Sequence, residues 1–149
     1  MAVNLDPTDW AILEQLQHDG RMPLTELAGH VHLSASATTE RVRRLESAGV
    51  ISGYHAQIDL ASVGWTLLAV VRLKHYGSTH DPLHQHLEMT PNVLECLRIT
   101  GEDCYIVKVA ATSMPQLEEL VNDLGRYGDT HTSLVYRQTL PYRGPAGPA

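Results

Sequence analysis

The sequence predicts an α+β protein in which an N-terminal winged helix-turn-helix precedes a ferredoxin-like βαββαβ domain. Apolar residues recur at helical spacing in the first 50 residues, and the segment 65–74 is almost continuously apolar. Strand and helix patterns alternate after that segment. A length of 149 residues suits one domain or two small ones. The predicted parts are a winged helix-turn-helix domain (1–58), a linker (59–64), a ferredoxin-like domain (65–139) and a flexible Pro/Gly-rich tail (140–149).

Three short helices are predicted at the N-terminus. Asp6 and Pro7 supply an N-cap and a first-turn proline for the first helix. The second begins near Pro23, and Ser34 caps a third that ends near Gly49. A helix of about eight residues and one of about fifteen, joined by a short turn, are typical of a helix-turn-helix.

The period then changes to two, which is typical of strands. Tyr54, Ala56 and Ile58 alternate with polar residues, and this pattern predicts a small two-stranded wing over 50–59. In the second domain the predicted strands are 65–74, 92–100, 105–111 and 130–138, with one helix from Asp81 to about Met89 and another after a capping box at 113–116.

The third helix carries the strongest functional signal. Small and hydroxyl residues near its start would let its backbone approach base edges, and the cations that follow would neutralise phosphates. A solvated surface helix is the alternative, but the preceding helix and turn favour DNA binding. Arg44 could instead pair with Glu40 inside the chain. The candidate DNA-binding residues are Ser34, Ser36, Thr38, Thr39, Arg41, Arg43 and Arg44.

The net charge of −6 argues against a protein that coats nucleic acid by bulk charge. Residues 1–60 hold four cations and eight acids, and three of these four cations lie on the third helix. Residues 61–149 hold seven cations and nine acids. The DNA-binding half is thus the more acidic one, which predicts a selective reader of DNA.

A second candidate site is the polar segment 100–105 between two predicted strands. Its glycine permits a tight backbone, its N–H groups could hold a carboxylate, and its acids could hold an ammonium group. A free amino acid would need all three features. On the residues alone, an ordinary polar turn is the favoured interpretation.

The remaining reactive residues do not form a recognisable site. His80, His84 and His86 lie close together, but Asp81-Pro82 places His80 before the helix, so a solvated helix with a mild pH response is favoured over a metal site. Cys96 and Cys104 make neither a disulfide framework nor a zinc pattern. No catalytic motif appears, so we expect neither enzymatic activity nor a cofactor.

Targeting signals are also absent from the pattern. No apolar run approaches the ~20 residues of a membrane helix, and the first 20 residues do not resemble a secretory signal. Together with the unpaired cysteines, this predicts a cytoplasmic protein without membrane contact.

The chain resembles the Lrp/AsnC, or feast/famine, family of transcriptional regulators over about residues 4–139. The matches occur in order along both domains, which makes them specific as a set. They are Leu5-Asp6, Ile12-Leu13, Leu16, Asp19-Gly20-Arg21, Leu27-Ala28, Leu33-Ser34, the run from Glu40 to Glu46, Gly49-Val50-Ile51, Gly53-Tyr54, and Thr100-Gly101-Glu102 through Tyr105.

The resemblance implies that the domain at 1–58 binds DNA and that the domain at 65–139 senses a ligand and forms homodimers. These dimers would assemble into tetramers or octamers and sense amino acids between dimers. It also favours the amino-acid interpretation of the 100–105 turn. Two departures stand out: Cys104 replaces an aspartate that many relatives carry, and Ala35 and Ala37 replace a proline near the start of the recognition helix. The effector-contact candidates are Thr100, Gly101, Glu102, Asp103, Cys104, Tyr105, Met114, Ser133, Leu134 and Val135.

The expected function is therefore sequence-specific regulation of transcription on double-stranded DNA, responsive to a small ligand such as an amino acid. One alternative is an enzyme similar to sirohaem decarboxylases, which resemble this family in both domains. The intact recognition helix argues against it. The other alternative is an architectural DNA-binding protein without a ligand response.

Overall fold

The computed structural model describes residues 3–147, which form two compact units. One contains the chain up to Gln57 together with the segment from Leu140 onwards, and the other runs from Ile58 to Thr139. The first contains α1 (Pro7–His18), α2 (Leu24–His30) and α3 (Ala35–Ser47). The second contains β1 (Leu67–His75), α4 (Asp81–Glu88), β2 (Val93–Arg98), β3 (Tyr105–Ala111), α5 (Met114–Gly125) and β4 (Gly128–Leu134).

The helix-turn-helix is confirmed. Asp6 caps α1 and forms a reciprocal capping box with Asp9, because each side chain accepts a hydrogen bond from the other's backbone N–H. Ser34 caps α3 by accepting from the Ala37 N–H at 3.2 Å. The three helices enclose a small apolar core of Ile12, Leu27, Val31, Val42 and Leu45.

The predicted wing is wrong. Residues 50–59 form neither helix nor strand, although their apolar and polar residues alternate as expected. Tyr54 and Ile58 are exposed, so the alternating face has no core to cover. An isolated two-stranded hairpin is marginal in water without such packing, and here Tyr54 only donates a hydrogen bond to Glu46 on α3. The predicted linker contains a short 3₁₀ helix, Ala61–Val63.

The second unit has the predicted ferredoxin-like topology. Its four strands form one antiparallel sheet in the order β2-β3-β1-β4. The sheet packs α4 and α5 on one face, because Ala69, Val71 and Leu73 of β1 join Leu83, Leu87, Leu117, Leu120 and Leu124 in a single core.

Two features of this unit differ from the sequence prediction: the bounds of β4 and the capping box of α5. β4 covers Gly128–Leu134 instead of 130–138. Its pairing with β1 runs from Gly128 opposite His75 to Leu134 opposite Ala69, and the Val135 N–H then donates to the Leu68 carbonyl at 2.8 Å. At α5, Ser113 accepts from the Gln116 N–H at 3.4 Å, but the Gln116 side chain accepts from Thr112 and not from Ser113. The predicted capping box is thus only half formed.

Residues 140–147 contain no helix or strand, and the Gln17 side chain donates to the Pro145 carbonyl at 3.3 Å. Among the described residues, no helix is both long enough and apolar enough to span a membrane.

Candidate DNA-binding and ligand-binding sites

The start of α3 presents small side chains to solvent. Ser34, Ser36 and the alanines between and after them are exposed, and the two serine hydroxyls lie 3.1 Å apart. Thr39 is partly exposed and donates to the Ala35 carbonyl at 2.7 Å. This part of the helix can approach another backbone closely, as a recognition helix must.

Thr38 does not belong to this surface. It is completely buried, and its hydroxyl donates to the Ser34 carbonyl at 3.0 Å. The prediction that Thr38 contacts DNA is therefore wrong, since its side chain turns into the helical core.

Two of the three arginines on α3 form ion pairs with aspartates of the same unit. Arg41 lies 2.7 Å from Asp6 and 2.8 Å from Asp9, and Arg44 lies 2.6 Å from Asp9. Asp9 is only 1% exposed, so both guanidinium groups neutralise a buried carboxylate. We call Asp6, Asp9, Arg41 and Arg44 the arginine–aspartate cluster.

The cluster corrects one expectation from the sequence: the partner of Arg44 is Asp9 on α1, not Glu40 on its own helix. It also shows that Arg41 and Arg44 are ion-paired within the chain. The hydrogen bond from Arg41 is the main reason that the pKa of Asp6 is lowered. The role of the cluster is to fix α3 against α1.

Sequence reasoning missed Asp9. Its only local signal was the spacing of three residues from Asp6, which is that of a capping box. Its pairing with α3 spans 32 and 35 residues and depends on the fold.

Arg43 is the arginine of α3 that faces outward. It is exposed, and within residues 3–147 it takes part in no ion pair. Its charge is thus free to act on a partner.

In the second unit, residues 99–104 form a tight turn between β2 and β3. The Ile99 N–H donates to the Cys104 carbonyl at 2.8 Å, and the Cys104 N–H donates to the Leu73 carbonyl at 2.9 Å. Gly101 has a φ of 117°, which side chains rarely adopt. Asp103 accepts from Arg72 at 3.3 Å. The turn is therefore anchored to β1 as well as closed on itself.

Tyr105, which we expected to face a ligand, is 1% exposed and lies in the core. Its hydroxyl is within hydrogen-bond distance of His84 at 3.0 Å and His80 at 2.7 Å. It cannot contact an effector at the surface of the turn, because it points under the sheet toward α4.

The structure does not bring the other effector candidates together within one chain. Tyr105 pairs with Leu73 at one end of β1, whereas Leu134 pairs with Ala69 and Met114 follows β3 at the opposite end. Six residues of strand separate Tyr105 from Ala111, which is about 20 Å at ~3.4 Å per residue. Met114 and Leu134 are both exposed. The turn and the Met114/Ser133–Val135 group are thus separate surfaces of a protomer.

By residue type, the cysteines and histidines are also candidate metal ligands. Among the described residues, no group of three or more His, Cys, Asp or Glu side chains is arranged to hold a metal ion. Cys96 packs against the core, and burial raises the pKa of its thiol. Cys104 is half-buried at the end of the turn.

Both halves of the chain match known family models. Residues 5–46 match the AsnC-type helix-turn-helix domain, and residues 67–145 match the Lrp/AsnC ligand binding domain. The first range includes the exposed start of α3, and the second includes the 99–104 turn and the Met114/Ser133–Val135 group.

Individual relatives agree with the models. The HTH-type transcriptional regulator LrpA of Mycobacterium tuberculosis is 37% identical over 129 residues, which is 86% of each chain. The feast or famine regulatory protein of M. tuberculosis complexed with L-methionine superposes with a TM-score of 0.90 at 33% identity, covering 97% of this chain and 100% of that one. A regulator from Neisseria meningitidis in complex with L-methionine has a TM-score of 0.87 at 31% identity, covering 93% and 94%.

A helix-turn-helix unit beside a ligand-binding domain defines a ligand-responsive, DNA-binding transcriptional regulator. The chain belongs to the Lrp/AsnC family of such regulators.

Proposed function

We propose that this protein regulates transcription from specific DNA sites and that an amino acid changes its DNA affinity or its assembly. The observation that carries the proposal is that the first residues of α3 are small and exposed, while the arginine–aspartate cluster fixes the helix to α1. The ligand-binding domain supports the second half, and L-methionine is the first candidate because two structurally similar regulators were solved with it.

We propose that the side chains of α3 have different roles in DNA binding. Ser34, Ser36 and Thr39 would bond to base edges or nearby phosphates, while Arg43 would neutralise a phosphate. Arg41 and Arg44 would act indirectly by fixing the angle of the helix. This division supports selective recognition, since little free positive charge is left for non-specific binding.

The open face of the sheet supports a homodimer. Ala69, Val71 and Leu73 face the helices, so the alternate residues of β1, including Val70, face away from the core. On the same side Ile106 pairs with Leu97, which is 50% exposed. The same face also carries Arg72 and Lys108. A second copy would cover the apolar part of this face and place two recognition helices about one DNA turn, ~34 Å, apart.

Further assembly of dimers would bring the two effector surfaces together. The 99–104 turn and the Met114/Ser133–Val135 group lie about 20 Å apart in one protomer, so a ligand that contacts both would need a neighbouring copy. Binding between copies would favour one assembly over another. We propose tetramers or octamers in the cytoplasm, with the domain division near residues 58–64 and no catalytic step.

Thermal unfolding in the presence of each of the twenty amino acids tests the ligand, and light scattering on the same samples tests the assembly. A ligand at 100 times its Kd should stabilise the protein by ~2.7 kcal/mol. Sirohaem is a useful further sample, since a bound Soret band would support the enzyme alternative. No shift with any amino acid would contradict the amino-acid response and favour an architectural DNA-binding protein.

A further inference from the structure

Four polar side chains meet beneath the 99–104 turn. His80 directly precedes α4 and His84 lies within it, and their ring centroids are 6.0 Å apart. The Tyr105 ring is 5.8 Å from each of them. Arg98 lies directly opposite Tyr105 in the β2–β3 register. Together with the neighbouring His75, we call these residues the histidine–tyrosine cluster.

The hydrogen bonds of the cluster allow one arrangement of protons. Arg98 lies 2.8 Å from His80 Nε2 and can only donate, so this nitrogen must accept. The proton of neutral His80 is then on Nδ1, which donates to the Tyr105 hydroxyl at 2.7 Å. Tyr105 in turn donates to His84 Nε2 at 3.0 Å. The chain is complete only when both histidines are neutral.

One additional proton breaks the chain at any position. On His80 it would place an N–H opposite the Arg98 guanidinium. On His84 it would make Tyr105 accept from both rings, with no acceptor in the cluster for its own hydrogen. Desolvation, followed by the charges of Arg98, His75 and His84, lowers the pKa of His80, and Asp81 opposes these effects.

His75 lies beside His80 and makes hydrogen bonds to two backbone carbonyls. Its Nδ1 lies 2.9 Å from the Tyr127 carbonyl and its Nε2 lies 2.9 Å from the Thr79 carbonyl. Both partners can only accept, so a protonated ring satisfies both bonds and a neutral ring only one. Its centroid is 5.0 Å from that of His80, so its charge opposes a second proton there. Cys96 and Cys104 are the other titratable groups near Tyr105.

The cluster holds both strands that lead into the turn. Arg98 ends β2 and Tyr105 begins β3, and the side chains of directly opposed residues lie on the same face of the sheet. The turn between them closes through the Ile99 and Cys104 backbone. Loss of the Arg98–His80–Tyr105 bonds would therefore act at the base of the turn.

We propose that His80 and His84, acting through Tyr105, are positioning residues for the 99–104 turn, so that proton uptake by the cluster loosens the turn and weakens amino-acid binding there. The binding half rests on the proposed function. The coupling between protonation and the turn does not, and it can be measured without a ligand.

Hydrogen–deuterium exchange of the full chain, corrected for the intrinsic effect of pH, tests the coupling in any assembly state. We expect the Ile99 and Cys104 amides to lose at least threefold in protection between pH 8 and pH 5.5. Tyr105→Phe should reduce their protection at both pH values. His84→Gln retains an acceptor for Tyr105 that does not titrate. Because His80 can still take up a proton, this variant should lose less protection at pH 5.5 than the wild type does, but not keep all of it. His18→Gln, at the exposed end of α1, should behave as the wild type does.

Equal protection of the turn at both pH values in the wild type would overturn the proposal, as would the same pH dependence in Tyr105→Phe. Calorimetric titration with L-methionine then tests the consequence. We expect at least threefold weaker binding at pH 5.5 in the wild type and a smaller loss in His84→Gln. If no amino acid binds at either pH, the proposed ligand is wrong, and the exchange data alone decide the coupling.

Discussion

The arginine–aspartate cluster and the histidine–tyrosine cluster solve the same problem in two ways. Each ties a candidate functional element to its unit through a buried polar group, Asp9 beneath α3 in one case and Tyr105 beneath the turn in the other. Carboxylate and guanidinium groups stay charged across physiological pH, whereas histidines titrate within it. The first support is therefore permanent, and the second depends on conditions.

This difference fits the separate roles of the two units. A recognition helix must keep its geometry at every pH at which DNA is read. A sensing turn can gain from a support that is easily released.

Removing the charge of Asp9 should have the largest effect on stability. Asp9→Asn leaves Arg41 and Arg44 without their shared partner, and we expect a loss of about 2–3 kcal/mol in the free energy of unfolding. This is less than for a fully buried pair, because the side chains of Arg41 and Arg44 are 29% and 51% exposed.

Urea denaturation in a Trp65→Phe background would measure this loss, since Trp10 then reports on the first unit. Glu14→Gln, an exposed acid on the same helix, is the matched control and should change stability by less than about 0.5 kcal/mol. A result for Asp9→Asn within that range would mean that the cluster does not brace α3.

Alanine substitutions of Arg43 and Arg41 should distinguish a residue that contacts DNA from one that stabilises the first unit. Arg43→Ala should leave stability unchanged, weaken DNA binding and reduce the salt slope of log K by about 0.9 for one lost phosphate contact. Arg41→Ala should destabilise the first unit instead. Fluorescence anisotropy on a duplex selected in vitro, over a range of salt concentrations, measures both the affinity and the slope.

Arg126→Ala, which removes an exposed arginine from the second unit, is the control for charge alone. An unchanged slope in Arg43→Ala, or an equal reduction in Arg126→Ala, would contradict the assignment of Arg43.

The pH dependence of stability should differ between the clusters by a smaller amount. Because the pKa of His80 is lowered below 6.5 in the folded protein, the unfolded chain binds a proton first as pH falls. The stability from neutral His80 is fully present above 6.5, the pKa of the histidine in the unfolded chain. It is lost as the pH decreases from there through the lower pKa of His80 in the folded protein. Urea denaturation at pH 7.5 and 5.5 should show a larger loss in the wild type than in His80→Gln. Equal losses in the two proteins would mean that His80 does not contribute to the pH dependence of stability.

Much of the fold was visible in the sequence because its signals are local. Asp6-Pro7, Ser34 and Ser113 mark helix starts that the structure confirms, and the apolar run before Lys74 predicts a central strand. The wing failed because alternation alone does not provide a surface to cover. The bounds of β4 differ from the prediction because they depend on its pairing with β1, which runs from Gly128 opposite His75 to Leu134 opposite Ala69.

The functional surfaces were less predictable because their contacts are distant in sequence. Three arginines on one helix predicted DNA binding, but the burial of Asp9 decides which of them are free, and Asp9 lies more than 30 residues away. Similarly, His80 and Tyr105 meet only through the order of the strands, with 25 residues between them. Periodicity locates elements, but it does not reveal which side chains face each other.

The proposal that an amino acid changes DNA binding is tested by the affinity for a selected DNA duplex with and without a saturating amino acid. Fluorescence anisotropy at pH 7.5 measures this affinity. A ligand-responsive regulator should show a change of 5- to 150-fold with at least one of the twenty, as expected for ~1–3 kcal/mol of coupling. The same affinity and the same assembly size with all twenty would contradict the account.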